Sequence, residues 1–174
     1  MKPLPLIFLS LLSCAVIGCA VIPSPLQQGD LVKLPYPIYE SSKKNLKTPK
    51  ENEESVALEV FADIKAKWRP TRDEVLYGVR DYWATPQESR NNDLTGDCED
   101  FATFTREELA QRGVDSRLVL VTGWGSDRHV ITVTKLGYVL DMNLVGVASL
   151  SYLDYKIIAV TGFHEDNNWY QPTP

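Results

Sequence analysis

Residues 117–142 read RLVLVTGWGSDRHVITVTKLGYVLDM. β-Branched apolar residues alternate with other types through RLVLVT (117–122), HVITVT (129–134) and YVLDM (138–142), and a fourth such run, KIIAVTGF, occupies 156–163. A period of two, broken by glycine-bearing turns, predicts strands. Upstream the period changes. Apolar residues at 57, 60, 61, 64 and 68 follow helical spacing until Pro70. A second helical stripe runs through Val75, Leu76, Val79, Tyr82 and Trp83, behind a capping-box pair, Thr71 and Glu74. QESRNNDLTG (87–96) carries neither period. A third helix is predicted from Asp97 as N-cap, through buried Phe101, Ala102 and Leu109, to a stop at Gly113. Helices first and strands afterwards specify an α+β domain whose helices pack on an antiparallel sheet.

The chain has 174 residues, 44% hydrophobic and 24% charged, which suits one globular domain with one core. A net charge of −5 and no basic cluster beyond Lys43–Lys44 argue against a nucleic-acid partner. Residues 1–18 read as a signal peptide: Lys2 precedes LIFLSLL (6–12) and AVIG (15–18), too short for a comfortable membrane span. The stretch ends VIGC (16–19), which resembles a bacterial lipobox and makes Cys19 the expected lipidated first residue of the mature chain. Ala20 is not the aspartate that retains many lipoproteins in the inner membrane, so the expectation is the periplasmic face of the cell envelope, lipid-anchored, outer membrane before inner. Residues 19–54, with prolines at 23, 25, 35, 37 and 49 and the polar run SSKKNLKTPKENEE (41–54), read as a flexible tether. A coil of that size reaches roughly 30 Å. The folded domain is expected over 55–174.

Removal of Cys14 with the signal leaves Cys98 as the single thiol of the domain, inside TGDCEDFATF (95–104). A lone thiol in an exported protein is a buried structural residue, an intermolecular bridge or a nucleophile. At the first turn of a helix, the macrodipole favours thiolate by about 0.3–2 kcal/mol. Each flanking carboxylate at roughly 6 Å opposes it by ~2–3 kcal/mol at an effective dielectric near 20. The dipole loses. Another group must charge the sulfur or neutralise the acids.

Histidine is the first candidate, because imidazole can store the thiol proton. Downstream of the signal peptide there are two, His129 and His164. His129 opens a predicted strand, and a three-residue turn around TKLGY would set it on the same face as Asp141 of the next strand; a two-residue turn would not. Asp141 sits in apolar VLDM, where a carboxylate needs a partner. Cys98, His129 and Asp141 then fit a nucleophile, a base and an orienting acid. His164, in GFHEDNNW, reads as a surface loop residue. The glycines of GWGS (123–126) suit a mobile loop or a plain turn, and Trp83 and Trp169 read as core or cleft-wall aromatics.

DYWATPQES (81–89), GDCEDFA (96–102), the histidine of HVITV and VLDMN (139–143) together resemble the bacterial transglutaminase-like cysteine peptidases. Their LapG-like members are periplasmic and cut a large surface adhesin. The resemblance covers roughly 56–169. It implies a papain-like, transglutaminase-like core with Cys98 as nucleophile, His129 as general base and acid, and Asp141 as orienter. It also implies calcium bound through Asp97 and Glu99, with Asp100 or Asp93 as further candidates. Such a cation would turn the flanking acids into a scaffold, although Asp97 also reads as a simple N-cap. Two departures stand out: the expected lipid anchor, and an asparagine displaced one position beyond the usual Leu-Asp-Asn.

The function expected is a cell-envelope cysteine endopeptidase acting on a protein substrate through a thioester. Acyl transfer to an amine, in the manner of a transpeptidase or transglutaminase, uses the same intermediate. A lipid-anchored binding module that keeps the residues unused is the non-enzymatic alternative.

Overall fold

The computed structural model describes residues 31–34, 52–122, 128–163 and 166–172. Cys19, His164 and the glycine-rich stretch 123–126 lie outside them. Among the described residues no helix is long and apolar enough to cross a membrane.

Helix α1, Glu53–Lys65, starts where Asn52 accepts the Glu54 N–H at 3.1 Å, two residues before the expected boundary. It buries Val56, Ala57, Val60, Phe61 and Ile64, the stripe expected from its spacing. Trp68 lies beyond its end, buried, with its indole N–H donated to the Gly96 carbonyl at 3.2 Å. That contact braces a two-stranded parallel ribbon of β2, Arg69–Pro70, and β3, Thr95–Gly96.

The second predicted helix is corrected. Only a short α2, Asp73–Leu76, forms; Thr71 does not cap it, and Val75 and Val79 are exposed. Two causes are local. Gly78 takes φ +71, outside helical space, and Asp73 turns inward to accept the Tyr82 N–H at 2.5 Å. The capping box sits fourteen positions later than Thr71, at Thr85 and Glu88, where each side chain takes the other's backbone N–H. It opens α3, Pro86–Asn91, in a stretch expected to be irregular.

Helix α4, Cys98–Gln111, has Asp97 at its N-cap position as expected, but the Asp97 side chain makes no capping bond. Gly113, at φ +79, ends it. Phe101, Phe104 and Leu109 pack with Val56, Phe61, Ile64 and Trp68 of the α1 region, forming the helical layer of the core. Each such side chain contributes about 1.5–3 kcal/mol when buried.

The strands follow: β4, Ser116–Thr122; β5, Arg128–Thr134; β6, Tyr138–Leu140; β7, Ala148–Ser149; β8, Lys156–Thr161; and β9, Trp169–Pro172. With β1, Leu31–Leu34, they make one sheet in the order β1-β9-β8-β4-β5-β6-β7, antiparallel throughout. The α+β class with an antiparallel sheet is as expected. Strand β1 comes from within the stretch read as a tether. Pairing it covers an edge of β9 that would otherwise leave backbone groups unpaired. The sheet has two apolar faces. Ala102, Leu118, Val130 and Ala159 lie on the α4 side. Val119, Val121, Ile131, Val133, Val139 and Val160 lie on the other, covered by Leu144, Leu150, Leu153 and Tyr155 from the segments flanking β7.

Candidate active site

Three pieces of chain meet at the open end of β5. The first is the start of α4. Cys98 is its first helical residue, half-buried, and packs, as Trp83 and Leu120 also do, against the cluster of Ala102, Leu118, Val130, Ala159 and Trp169. Trp83 packs edge-on against Trp169 at 5.9 Å, so both predicted wall aromatics border the cysteine's layer. The thiol donates to Glu99 Oε2 at 3.1 Å. Burial pushes the thiol's pKa up, and Glu99 pushes it further; the backbone N–H of Val130 works in the opposite direction. The acids hold the proton on, in the direction the sequence predicts.

The second piece is the β5–β6 hairpin. Thr132 faces Leu140 and Val133 faces Val139, and the connection contains Lys135, Leu136 and Gly137, the last at φ +89. Three residues is the length that keeps His129 and Asp141 on one face. Their side chains meet: His129 Nε2 lies 2.7 Å from Asp141 Oδ1. Asp141 is fully buried, and its Oδ1 also accepts the Asn143 N–H at 2.8 Å. Oδ2 accepts the Tyr155 hydroxyl at 2.5 Å. Burial alone would raise this carboxyl; His129, Tyr155 and the Asn143 N–H together hold it below the usual carboxylate range. The amide of Asn143 lies 3.3 Å from the same ring nitrogen, so the displaced asparagine still reaches the histidine.

Cys98 comes to β5 from the α4 side, beside Val130; His129 and Asp141 share the pleat face of Ile131 and Val139. Among the described residues no hydrogen bond joins the sulfur to the ring. Nε2 is the ring nitrogen that faces Asp141.

The third piece is a cluster of acids. Single oxygens of Asp73, Asp97 and Asp100 lie within 4.8 Å of one another, as do those of Asp73, Asp81 and Glu99; Asp97, Cys98 and Glu99 form a third such group. Asp73 and Asp100 are buried. Asp100 Oδ1 accepts the Ala84 N–H at 2.7 Å, but its Oδ2, together with Oδ1 of Asp73 and Oδ1 of Asp97, is buried without a hydrogen bond. Among the described residues no lysine or arginine bridges to the five acids. Burial, then the neighbouring negative charges, raise Asp97 to about 7. Burial, offset in part by the Ala84 N–H, brings Asp100 to about 7 as well. Buried carboxylate oxygens without donors require protons or a cation. An all-oxygen donor set at this spacing suits a hard ion such as calcium better than a thiophilic one.

Sequence reasoning missed Asp73 and Asp81. Asp73 lies between the expected capping pair, Thr71 and Glu74, where an acid in a helix's first turn needs no further explanation. Asp93 turns elsewhere, taking φ +53 in a surface groove with Arg69 and Arg90. Gly96 has a steric reason. A Cβ there would meet Asp100 Oδ2 at 2.4 Å, so the glycine of GDCED makes room for the buried carboxylate.

Among solved structures, Legionella pneumophila LapG superposes with a TM-score of 0.59 at 20% identity, covering 70% of this chain and 71% of that one. Calcium-bound LapG gives 0.56 at 20% identity over 66% of this chain and 67% of that one. EGTA-treated LapG gives 0.56 at 20% over 66% and 68%. At this identity the likeness is one of fold. No curated protein sequence matches the chain. Residues 38–173 match the family described as bacterial transglutaminase-like cysteine proteinase. The chain therefore belongs to the bacterial transglutaminase-like cysteine proteinases, a family of cysteine peptidases.

Proposed function

We propose that this chain is a cell-envelope cysteine endopeptidase in which Cys98 is the nucleophile, His129 the general base and acid, and Asp141 the residue that orients the imidazole. The observation that carries the reading is the 2.7 Å pair of His129 and Asp141; His129 is next in sequence to Val130, which belongs to the apolar cluster that Cys98 packs against. His129 takes the thiol proton at Nδ1. The sulfur attacks the peptide carbonyl carbon, and the oxyanion is received by the Cys98 N–H at the start of α4. Collapse breaks the C–N bond, and His129 returns its proton to the leaving amine. Water, activated by the same ring, then cleaves the thioester.

Asp97 and Glu99, with Asp73, Asp81 and Asp100 beside them, would hold calcium. A bound ion would supply the positive charge that buried oxygens and a negatively flanked thiol both lack. The calcium-bound and EGTA-treated LapG structures support this choice of ion. Lipidation of Cys19 would place the enzyme on the periplasmic face, preferably at the outer membrane, with an envelope protein, a surface adhesin among the candidates, as substrate.

Comparison of the envelope proteome in cells carrying wild-type protein or Cys98→Ala tests the reading. Cleavage products that require the sulfur are expected, and identical proteomes would overturn the peptidase assignment. Iodoacetamide should alkylate wild-type Cys98 faster than the His129→Ala variant; equal rates would remove His129 as the base.

A further inference from the structure

Tyr155 has no role in the family resemblance or in the site expected from sequence. It is the residue before β8, at the end of the segment that runs from β7 over the face of Ile131 and Val139. Its ring is half-buried in that cover, and its hydroxyl reaches Asp141 Oδ2 at 2.5 Å. The Asp141 carboxylate is completely buried, so its orientation is set by the donors it meets. Two of them, the His129 ring and the Asn143 N–H, converge on Oδ1. Tyr155 is the donor to Oδ2. Two donors on one oxygen leave the carboxylate free to tip about its Cβ–Cγ bond; a donor on the other oxygen fixes the plane.

We propose that Tyr155 is a positioning residue, whose hydroxyl fixes the Asp141 carboxylate so that Oδ1 stays aimed at the His129 ring. This rests on the reading of His129 and Asp141 as base and orienter. Burial, followed by the hydrogen bond and the charge of Asp141, pushes the Tyr155 hydroxyl well above the ordinary tyrosine range. Tyr155 therefore remains a neutral donor throughout the pH range in which an enzyme works.

The test uses the full-length protein and its Tyr155→Phe variant, which keeps the ring and removes the oxygen. With ¹⁵N-histidine labelling, wild-type protein is expected to show a downfield, slowly exchanging Nε2–H signal from His129. In Tyr155→Phe the signal should broaden or vanish, while the melting temperature shifts by only a few degrees. Alkylation of Cys98 by iodoacetamide at pH 7 should fall about tenfold, the scale of one hydrogen bond to a charged group. A wild-type ring signal together with a wild-type alkylation rate in Tyr155→Phe would overturn the proposal. Should that variant not fold, ¹³C-labelled tyrosine in the wild-type protein decides instead. Tyr155 is expected to resist titration, and its titration in the ordinary range would overturn the proposal. If His129→Ala alkylates as fast as wild type, the base assignment fails, and Tyr155 is then judged on the ring signal alone.

Discussion

The Cys98 thiol donates to its immediate neighbour, Glu99, across 3.1 Å. A thiol that donates its proton to an adjacent carboxylate is held in its protonated, unreactive form, and it is the carboxylate's charge that must change before the sulfur can. Glu99→Gln removes that charge and keeps the shape. With chelator present, the variant should react with iodoacetamide about tenfold faster at pH 7 than wild type, equivalent to roughly one pKa unit. Added calcium should accelerate the wild-type thiol and leave the variant unchanged. A slower thiol in Glu99→Gln would show that Glu99 assists the cysteine.

Asp97 and Asp100, both raised to about 7, bind their protons more tightly in the folded chain than in the unfolded one. Folding therefore takes up protons between about pH 4 and 7, and stability falls as pH rises through that window. Thermal melts in EGTA should give a lower melting temperature at pH 8 than at pH 5. Saturating calcium should raise the pH 8 value most, because the cation takes the place of the protons. A melting temperature that climbs with pH in EGTA, or one indifferent to calcium, would contradict the cluster's assignment.

Gly96→Ala places a Cβ 2.4 Å from Asp100 Oδ2. Since Asp100 is also held by the Ala84 N–H, the clash cannot be relieved by a simple side-chain swing. A loss of about 1–3 kcal/mol is expected, the usual scale of overpacking, together with weaker calcium binding by calorimetry. Wild-type stability and affinity would mean that Asp100 is free to leave the cluster.

Hydrolysis and acyl transfer share the thioester and diverge at the acceptor. Incubation of the enzyme with an envelope-protein extract and a fluorescent primary amine should yield cleavage fragments without incorporated label. Labelled, uncleaved protein that depends on Cys98 would reassign the reaction to a transferase.

Strands β4, β5 and β8 were legible because they alternate over six or seven residues, whereas β1, β7 and β9, of two to four residues, carry too short a period to be read. One turn length decided the most important contact. Lys135–Gly137 is a three-residue connection, and it puts His129 and Asp141 on one face. Local period failed over residues 71–85. Val75, Val79 and Tyr82 have helical spacing, yet Asp73 binds the Tyr82 backbone and Gly78 departs from helical φ, so the stripe is never assembled. The same failure hid Asp73 and Asp81 from the acid cluster, since their proximity to Asp97 and Glu99 depends on the chain doubling back. Tyr155 was invisible for a related reason. It lies fourteen residues beyond Asp141, on a segment with no period, and only the path of that segment over the sheet brings the two together.

Were Cys19 acylated, as proposed, the pairing of β1 with β9 would shorten the reach of the anchor. From Cys19 to Leu31 there are about twelve peptide steps, which span roughly 40 Å even at full stretch. A linker running unbroken to α1 would allow about three times as much. An acylated form could thus patrol only a thin shell of periplasm, and a target's scissile bond would have to be presented within that shell.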